Sequence, residues 1–314
     1  MNIIFGASGF IGQHLSKIIG AESRCFDLNT IDEKSIYCDA RKPIELDVSD
    51  VSVIYNLAAI CKTPGHGYHE YFETNINSAE NICDFARNNV INTIVFISSS
   101  APYGTWEDEK TEESLPLPTS AYGSSKLVAE EIHKRWQAEK PNERKLIIVR
   151  PGVVFGLNEG GNFTRLYRAM KKGRFFYPSR KDTKKAAIYV KDLVRLMVEM
   201  AEKENTGVHL YNTVYTPIHT IEDICKSMAK VTGVKEPKIT IPAGIVKISA
   251  SSINTIGKLI GKSFDGIHPD RVKKLMVSTN INGQKLLDNN YKIEYSLEEA
   301  IKDWYNDCNC TNLY

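Results

Sequence analysis

No uninterrupted apolar run of about 18 residues occurs in this 314-residue chain, so no segment reads as a bilayer-spanning helix. An excess of either charge is also missing. Lys and Arg number 40 against 38 Asp and Glu, a net of +2, which removes any global attraction to nucleic acid or a membrane surface. The seven cysteines contain no Cys-x-x-Cys pair, and the seven histidines show no metal-ligand spacing. No metal site is therefore expected, and a reducing, cytoplasmic compartment is. Cys308 and Cys310, near the C-terminus, read as part of a tail. Met1 runs straight into Asn2–Phe5 and a glycine loop, so no leader peptide is expected. Internal repeats and low-complexity linkers are lacking too.

What is present is an alternation of short β-branched runs with helical patterns. Asn2–Phe5, Arg24–Asp27, Ser35–Cys38, Val51–Leu57, Thr93–Ile97, Lys145–Arg150 and Val208–Asn212 read as strands. Tyr68–Asn88 carries helical periodicity through Tyr71, Phe72, Ile76, Ile82 and Phe85. Strands alternating with helices predict an α/β fold with a doubly wound parallel sheet, whose ligands lie outside the C-terminal strand ends. From Thr216 onward the pattern is mostly helical, closing with Ser296 and Glu299 spaced as a capping box. The expected organisation is a Rossmann-like domain over 1–155, to which 187–214 returns, and a smaller lobe from 156–186 and 215–314. Ala243–Ile260, apolar near helical spacing, is expected to pack on that lobe.

Gly6, Gly9 and Gly12 stand at the end of the first strand and open a helix. Glycines there permit a tight turn and let backbone N–H groups approach a pyrophosphate. The spacing is Gly-x-x-Gly-x-x-Gly rather than the Gly-x-Gly-x-x-Gly of the usual fingerprint. Asp27 ends the second strand, 21 positions after Gly6. An acid so placed accepts hydrogen bonds from an adenosine ribose and repels a 2′-phosphate, favouring NAD over NADP. Asp39 and Ala40 follow the third strand, where a carboxylate can meet an adenine edge or belong to a solvated loop. Small Ala58 and Ala59 follow the fourth, where a ligand can lie close.

Tyr122 and Lys126 are four residues apart, one turn on one helical face. A cation beside a phenol favours the phenolate, so Lys126 is expected to lower the proton affinity of Tyr122 and fit it for exchange with a substrate hydroxyl. Spacing alone does not single out this pair, because Tyr167/Lys171 and Tyr177/Lys181 share it. The setting does: Tyr122 opens the helix after the strand ending in Ser98, Ser99 and Ser100.

Taken together, Gly6/Gly9/Gly12, Asp27, Ser98–Ser99 with Tyr103–Gly104, Tyr122/Lys126, Arg150–Pro151 and Phe155–Gly156 resemble the extended short-chain dehydrogenase/reductases that act on nucleotide sugars, the NAD-dependent epimerase/dehydratase family. The resemblance covers nearly the whole chain. It implies Tyr122 as acid/base, Lys126 holding the nicotinamide ribose, and Ser99 hydrogen-bonding the reacting hydroxyl. It implies NAD contacts from Gly6, Ser8, Gly9, Phe10, Ile11, Gly12, Asp27, Asp39, Ala40, Leu57, Ala58, Ala59, Ser98 and Pro151, besides Tyr122 and Lys126. Ser100, Asn162 and Lys185 take substrate positions, and Asn75 matches a family asparagine. A homodimer through the helices after Tyr68 and after Tyr122 is implied as well.

Two departures bear on the chemistry. Ser100 and Ala101 stand where the family's 4,6-dehydratases carry Asp-Glu, which argues against dehydration. Val153 replaces an asparagine often found at its position. Arg165–Lys185 holds nine basic residues against the single acid Asp182, suited to an anionic substrate. The expected activity is NAD-dependent epimerisation at C4 of a nucleotide-linked hexose through a 4-keto sugar. A 4-keto-sugar reductase, a steroid- or flavonoid-type reductase and a non-catalytic NAD-binding protein are the alternatives.

Overall fold

A computed structural model describes residues 1–30, 35–61, 65–244 and 276–314. Its centre is a seven-stranded, wholly parallel sheet. In chain order the strands are β1 (Asn2–Phe5), β2 (Ser23–Asp27), β3 (Ser35–Tyr37), β4 (Val53–Asn56), β5 (Thr93–Ile97), β6 (Lys145–Pro151), β7 (Val153–Phe155), β8 (Tyr177–Pro178), β9 (Ala187–Tyr189), β10 (Gly207–Thr213) and β11 (Thr240–Ile241). The central sheet runs β10-β6-β5-β4-β1-β2-β3, while β7 pairs with β9 and β8 with β11 in two small sheets. Strand order reverses between β1 and β4, which opens a crevice at their C-terminal ends.

Alternation along the strands explains burial on both faces. Ile4, Val95, Ile97, Ile147 and Val149 enter one apolar cluster, and Ile3, Phe5, Ile94, Phe96, Leu146 and Ile148 enter the other. Successive residues of a strand point to opposite faces, so a sheet covered on both sides needs continuous apolar runs. The helices are α1 (Phe10–Ile19), α2 (Tyr68–Asn88), α3 (Ala121–Ala138), α4 (Asn162–Lys171), α5 (Val190–Lys203), α6 (Ile221–Thr232), α7 (Gln284–Asp288) and α8 (Leu297–Asp307). α1 and α5 pack together over the first face, and α2 and α3 over the second. The first cluster continues through Phe155, Phe163, Tyr167, Met228 and Trp304 into the C-terminal part of the chain.

All but one of the expected strands, and the Tyr68–Asn88 helix, form within one residue of their expected bounds. The strand read over Val51–Leu57 is shorter, Val53–Asn56, although the Leu57 amide still bonds Phe5 O (2.9 Å) on β1. β10 lies in the main sheet beside β6, while β9 pairs with β7 outside it. The Ser296/Glu299 capping box caps α8. Of Ala243–Ile260, all but the first two residues lie outside the described residues. Among the described residues no helix is long and apolar enough to cross a membrane, and no cluster of His, Cys, Asp and Glu suits a metal.

Candidate active site

At the end of β1 the chain turns through Gly6 at φ +82°. A Cβ on Gly6 would lie 2.7 Å from the Leu57 carbonyl carbon, and one on Gly12 would strike Gly6 O and lie 2.7 Å from Ala7 Cα. The loop therefore packs against both β4 and α1 at backbone contact distance. Gly9 caps α1 without a side-chain hydrogen bond, and the first turn of α1 holds no acid. Such a helix start, with its amides uncapped by side chains, fits a pyrophosphate.

Asp27 lies beside this loop. Its Oδ2 accepts from Ser8 N and its Oδ1 from Asn29 N, both at 3.0 Å. Asp39 is engaged differently, by Arg41 Nε (2.8 Å) and Nη2 (2.9 Å), and the guanidinium holds its carboxyl below the usual range. Ala40 is buried and its carbonyl accepts from Asn81 Nδ2 (3.0 Å). Leu57, Ala58 and Ala59 follow β4 as half-buried residues, with Phe10 and Ile11 half-buried at the start of α1. These groups line up along the β1–β4 crevice and the adjoining β2 and β3 ends.

The second half of the site is built by β5, α2 and α3. Ser98 is buried at the end of β5, and its hydroxyl donates to Glu130. Ser99 accepts from Ala101 N (3.1 Å), and its hydroxyl favours the ionised form of the Tyr122 phenol. Ser100 N donates to Pro151 O (3.0 Å), joining the β5 and β6 ends. Ser120 caps α3 by accepting from Gly123 N (3.1 Å), and that sets Tyr122 in the first turn. Asn75 on α2 steadies the arrangement. Its amide accepts from Ile60 N (2.9 Å) and donates to Ser125 Oγ (2.9 Å), which donates to Tyr122 O (2.9 Å). The Tyr71 ring meets that of Tyr122 edge-on at 6.2 Å.

The expected tuning of Tyr122 by Lys126 is corrected by the structure. Burial raises the Tyr122 phenol, with Cys61 and Tyr71 adding to the rise and the Ser99 hydrogen bond opposing it. Lys126 is 1% exposed, and burial pulls its ammonium down to about 8 against the opposing pull of Glu130. Its Nζ lies 4.2 Å from the centre of the Phe96 ring. The spacing places both residues on one turn, but burial, not the neighbouring residue, governs each of them.

Asn162 begins α4, and Lys185 precedes β9. Asn162 is exposed at the start of α4, its Oδ1 accepting from Arg165 Nη2 (2.8 Å). Lys185 Nζ donates to Val277 O (2.8 Å), and burial brings its ammonium down to about 7. Of the basic segment, Arg180 pairs with Glu107 (2.6 Å) and Lys181 with Glu222 (3.4 Å), so these two cations are partly neutralised.

Sequence reasoning missed Glu130, His133 and Cys61. Glu130 sits at 0% exposure, bound by Ser98 and by Arg150 Nε (2.9 Å). His133 stacks on Phe96 at 4.2 Å and bonds Asn56 Nδ2 (3.1 Å). Glu130 was traceable as the residue one turn beyond Lys126.

Residues 2–213 match the model of a family described as NAD dependent epimerase/dehydratase family. The N-acetyl-alpha-D-glucosaminyl-diphospho-ditrans,octacis-undecaprenol 4-epimerase of Escherichia coli O157:H7 is 25% identical over 309 residues, covering 95% of this chain and 92% of that protein. Among solved structures, the UDP-N-acetylglucosamine 4-epimerase from Bacillus cereus superposes with a TM-score of 0.72 at 20% identity, over 97% of this chain and 98% of that one. The UDP-glucuronic acid 4-epimerase from Bacillus cereus in complex with NAD gives 0.71 at 21% identity, over 98% of each chain. Both structures share the fold described above.

Proposed function

The chain belongs to the NAD dependent epimerase/dehydratase family, and from that membership we propose that it epimerises C4 of a diphosphate-linked hexose with NAD. The observation that carries the proposal is the placement of Ser99 just past the β5 end and of Tyr122 in the first turn of α3, with buried Lys126 one turn further along that helix. NAD, when bound, supplies a hydride acceptor and donor. The Gly6–Gly12 loop and the α1 amides would hold its pyrophosphate, and Asp27 its adenosine ribose. Asp39, Ala40 and Leu57–Ala59 would flank the adenine and ribose, with Ser98 and Pro151 near the nicotinamide end.

Tyr122 Oη takes the proton of the sugar 4-hydroxyl and later returns it to the 4-keto oxygen. Ser99 Oγ orients that oxygen by hydrogen bonding. A phenol raised by burial holds its proton tightly, so proton removal needs the cation of Lys126 close by. Ser100, Asn162 and Lys185 are proposed to contact the substrate, Lys185 through its diphosphate. Residues 1–155 with 187–214 would serve the cofactor, and 156–186 with 215–314 the substrate.

We also propose a homodimer through α2 and α3. Half-exposed Phe72, Ile76 and Leu127 and exposed Val128 belong to none of the core clusters, and apolar side chains so left suit a subunit contact. A cytoplasmic enzyme of polysaccharide biosynthesis is consistent with these readings. The length over which the undecaprenol-linked 4-epimerase matches favours a second substrate reading, a polyprenyl diphosphate sugar. Incubation with UDP-, dTDP-, GDP- and CDP-sugars and with undecaprenyl-diphosphate N-acetylglucosamine, followed by NMR, tests both. C4 inversion of one class identifies it. Stoichiometric consumption of NADH with a 4-keto sugar would indicate a reductase instead, and no reaction with any member would overturn the proposal.

A further inference from the structure

Behind the Ser99–Tyr122 pair lies a buried ionic group that the proton transfers do not themselves use. Lys126, Glu130 and Arg150 are 1%, 0% and 2% exposed. Lys126 and Glu130 share one face of α3, four residues apart. Glu130 accepts from three donors: Ser98 Oγ at the β5 end, and Nε (2.9 Å) and Nη2 of Arg150 in β6. Arg150 is fixed from its other side by the Tyr103 ring at 4.6 Å, whose hydroxyl donates to Asn212 Oδ1 (2.9 Å) on β10. The carboxylate is thus ion-paired with Arg150, and Lys126 lies one turn away on the same helix, equally buried but not ion-paired with it.

The remaining surroundings of Lys126 offer little compensation. Phe96 faces it from β5 at 4.2 Å. Cys61, from the chain after β4, is the other group besides Glu130 that favours its charge. His133, further along α3, bonds Ala129 O (2.7 Å) and Asn56, and burial holds it neutral by pulling it down to about 4. Burial raises the Tyr122 phenol, so it offers Lys126 no fixed negative charge, and Arg150 and Tyr103 are turned to Glu130 and Asn212.

We propose that Glu130 is a positioning residue: its carboxylate, clamped by Ser98 and Arg150, keeps the Lys126 ammonium charged and in place one turn from Tyr122. This rests on the roles given above to Tyr122 and Lys126. The physical need is plain. An ammonium taken out of water is costly unless an opposite charge is fixed beside it. Glu130 is the leading influence opposing burial at Lys126. The same carboxylate ties the β5 and β6 ends to α3, so the groups that would flank the substrate are set by one anion.

Three variants test the proposal. Glu130→Gln removes the charge but leaves Arg150 buried without its partner, which endangers folding. Glu130→Gln/Arg150→Met removes both charges and keeps apolar volume. Glu130→Asp keeps the charge. The direct readout is the titration of Lys126 by NMR of protein labelled with ¹³Cε-lysine, its resonance assigned by its loss in Lys126→Met. The Lys126 midpoint should fall by about one pH unit or more in both Gln variants, and by less than half of that in Glu130→Asp. On the sugar identified by the panel, the alkaline limb of kcat/KM should move down by the same amount. That means roughly fivefold lower activity near pH 8, approaching about tenfold above pH 9, little loss at the acid end, and KM within about twofold. A merely structural Glu130 predicts that the double variant regains both folding and the wild-type Lys126 midpoint, and that result overturns the proposal. Failure of every sugar would reject the reaction while leaving the NMR titration to decide the role of Glu130.

Discussion

Helices α3 and α4 each carry a tyrosine with a lysine four residues later, and the two pairs are inverted in what they bury. In α3 the lysine is enclosed, at 1% exposure, and Tyr122 is half-buried beside Ser99, with its phenol raised by burial. In α4 the tyrosine is enclosed, with Tyr167 at 2% in the main apolar cluster, and Lys171 is exposed, donating to Asn312 Oδ1 (2.5 Å). The third pair is not helical at all. Tyr177 lies in β8, with Lys181 Nζ 5.2 Å from its ring. Spacing decides that two side chains share a face, and packing decides which of them meets water. A cation becomes a reagent when it is held out of water near a group that must lose a proton; an exposed one is screened.

The largest expected effect breaks this comparison at the hydroxyl. Tyr122→Phe should lower turnover by about 10²–10⁴-fold, the range of general acid/base catalysis, with NAD binding retained through the glycine loop. Tyr167→Phe should keep turnover within about threefold, because its hydroxyl belongs to the core and not to the β5 strand end. Steady-state kinetics of both variants, with NAD titration, checks it. Wild-type turnover in Tyr122→Phe would remove the proposed mechanism.

A second contrast, at the cofactor, concerns two acids at neighbouring strand ends. Asp39 is taken by Arg41, whereas Asp27 accepts from backbone amides of its own loops. Asp27→Ala should therefore weaken NAD roughly 10–100-fold, the worth of a charge-assisted hydrogen bond, and narrow the preference over NADP. Asp39→Ala should cost less than about fivefold, since its charge is already neutralised by Arg41. Fluorescence titration of both cofactors decides it; tighter NADP than NAD binding by the unaltered protein would refute the role of Asp27.

The main sheet was legible because strands covered on both faces need unbroken apolar runs, and Thr93–Ile97 and Lys145–Arg150 supply them. The glycine loop was legible for a similar reason, since backbone packing at the distances found for Gly6 and Gly12 tolerates no side chain. β7, β8 and β11 were not, because two or three residues carry no measurable period. Burial was the other blind spot. Glu130 sits in a stretch of α3 rich in polar residues, where an acid resembles a solvated one, and only Arg150 arriving from β6 shows that it is enclosed. The direction of the Tyr122 shift was missed for the same reason: spacing revealed the neighbouring cation but not the desolvation of both partners.

The smallest effects sharpen the comparison of the two lysines, through stability rather than rate. Burial lowers the folded Lys126 from its usual 10.5 to about 8. Below about pH 8 both the folded and unfolded chains carry this proton, and the folded state bears the full cost of the buried charge. Between about 8 and 10.5 the unfolded chain binds more protons at this residue than the folded one, so the contribution of Lys126 to stability improves as pH rises through that window. Lys126→Met removes the buried charge and leaves Glu130 paired with Arg150 and Ser98. At pH 7 the variant should be more stable than the unaltered protein by roughly 1–3 kcal/mol while being impaired in turnover. The gain should shrink toward pH 10. Lys171→Met, losing one exposed hydrogen bond, should change stability by less than about 0.5 kcal/mol, equally at both pH values. Urea unfolding of the three proteins at pH 7 and 9.5 measures this. A Lys126→Met variant that is less stable than the unaltered protein at pH 7 would mean that Glu130 and Phe96 more than offset the burial of the ammonium, and that the two lysines differ in surroundings but not in strain.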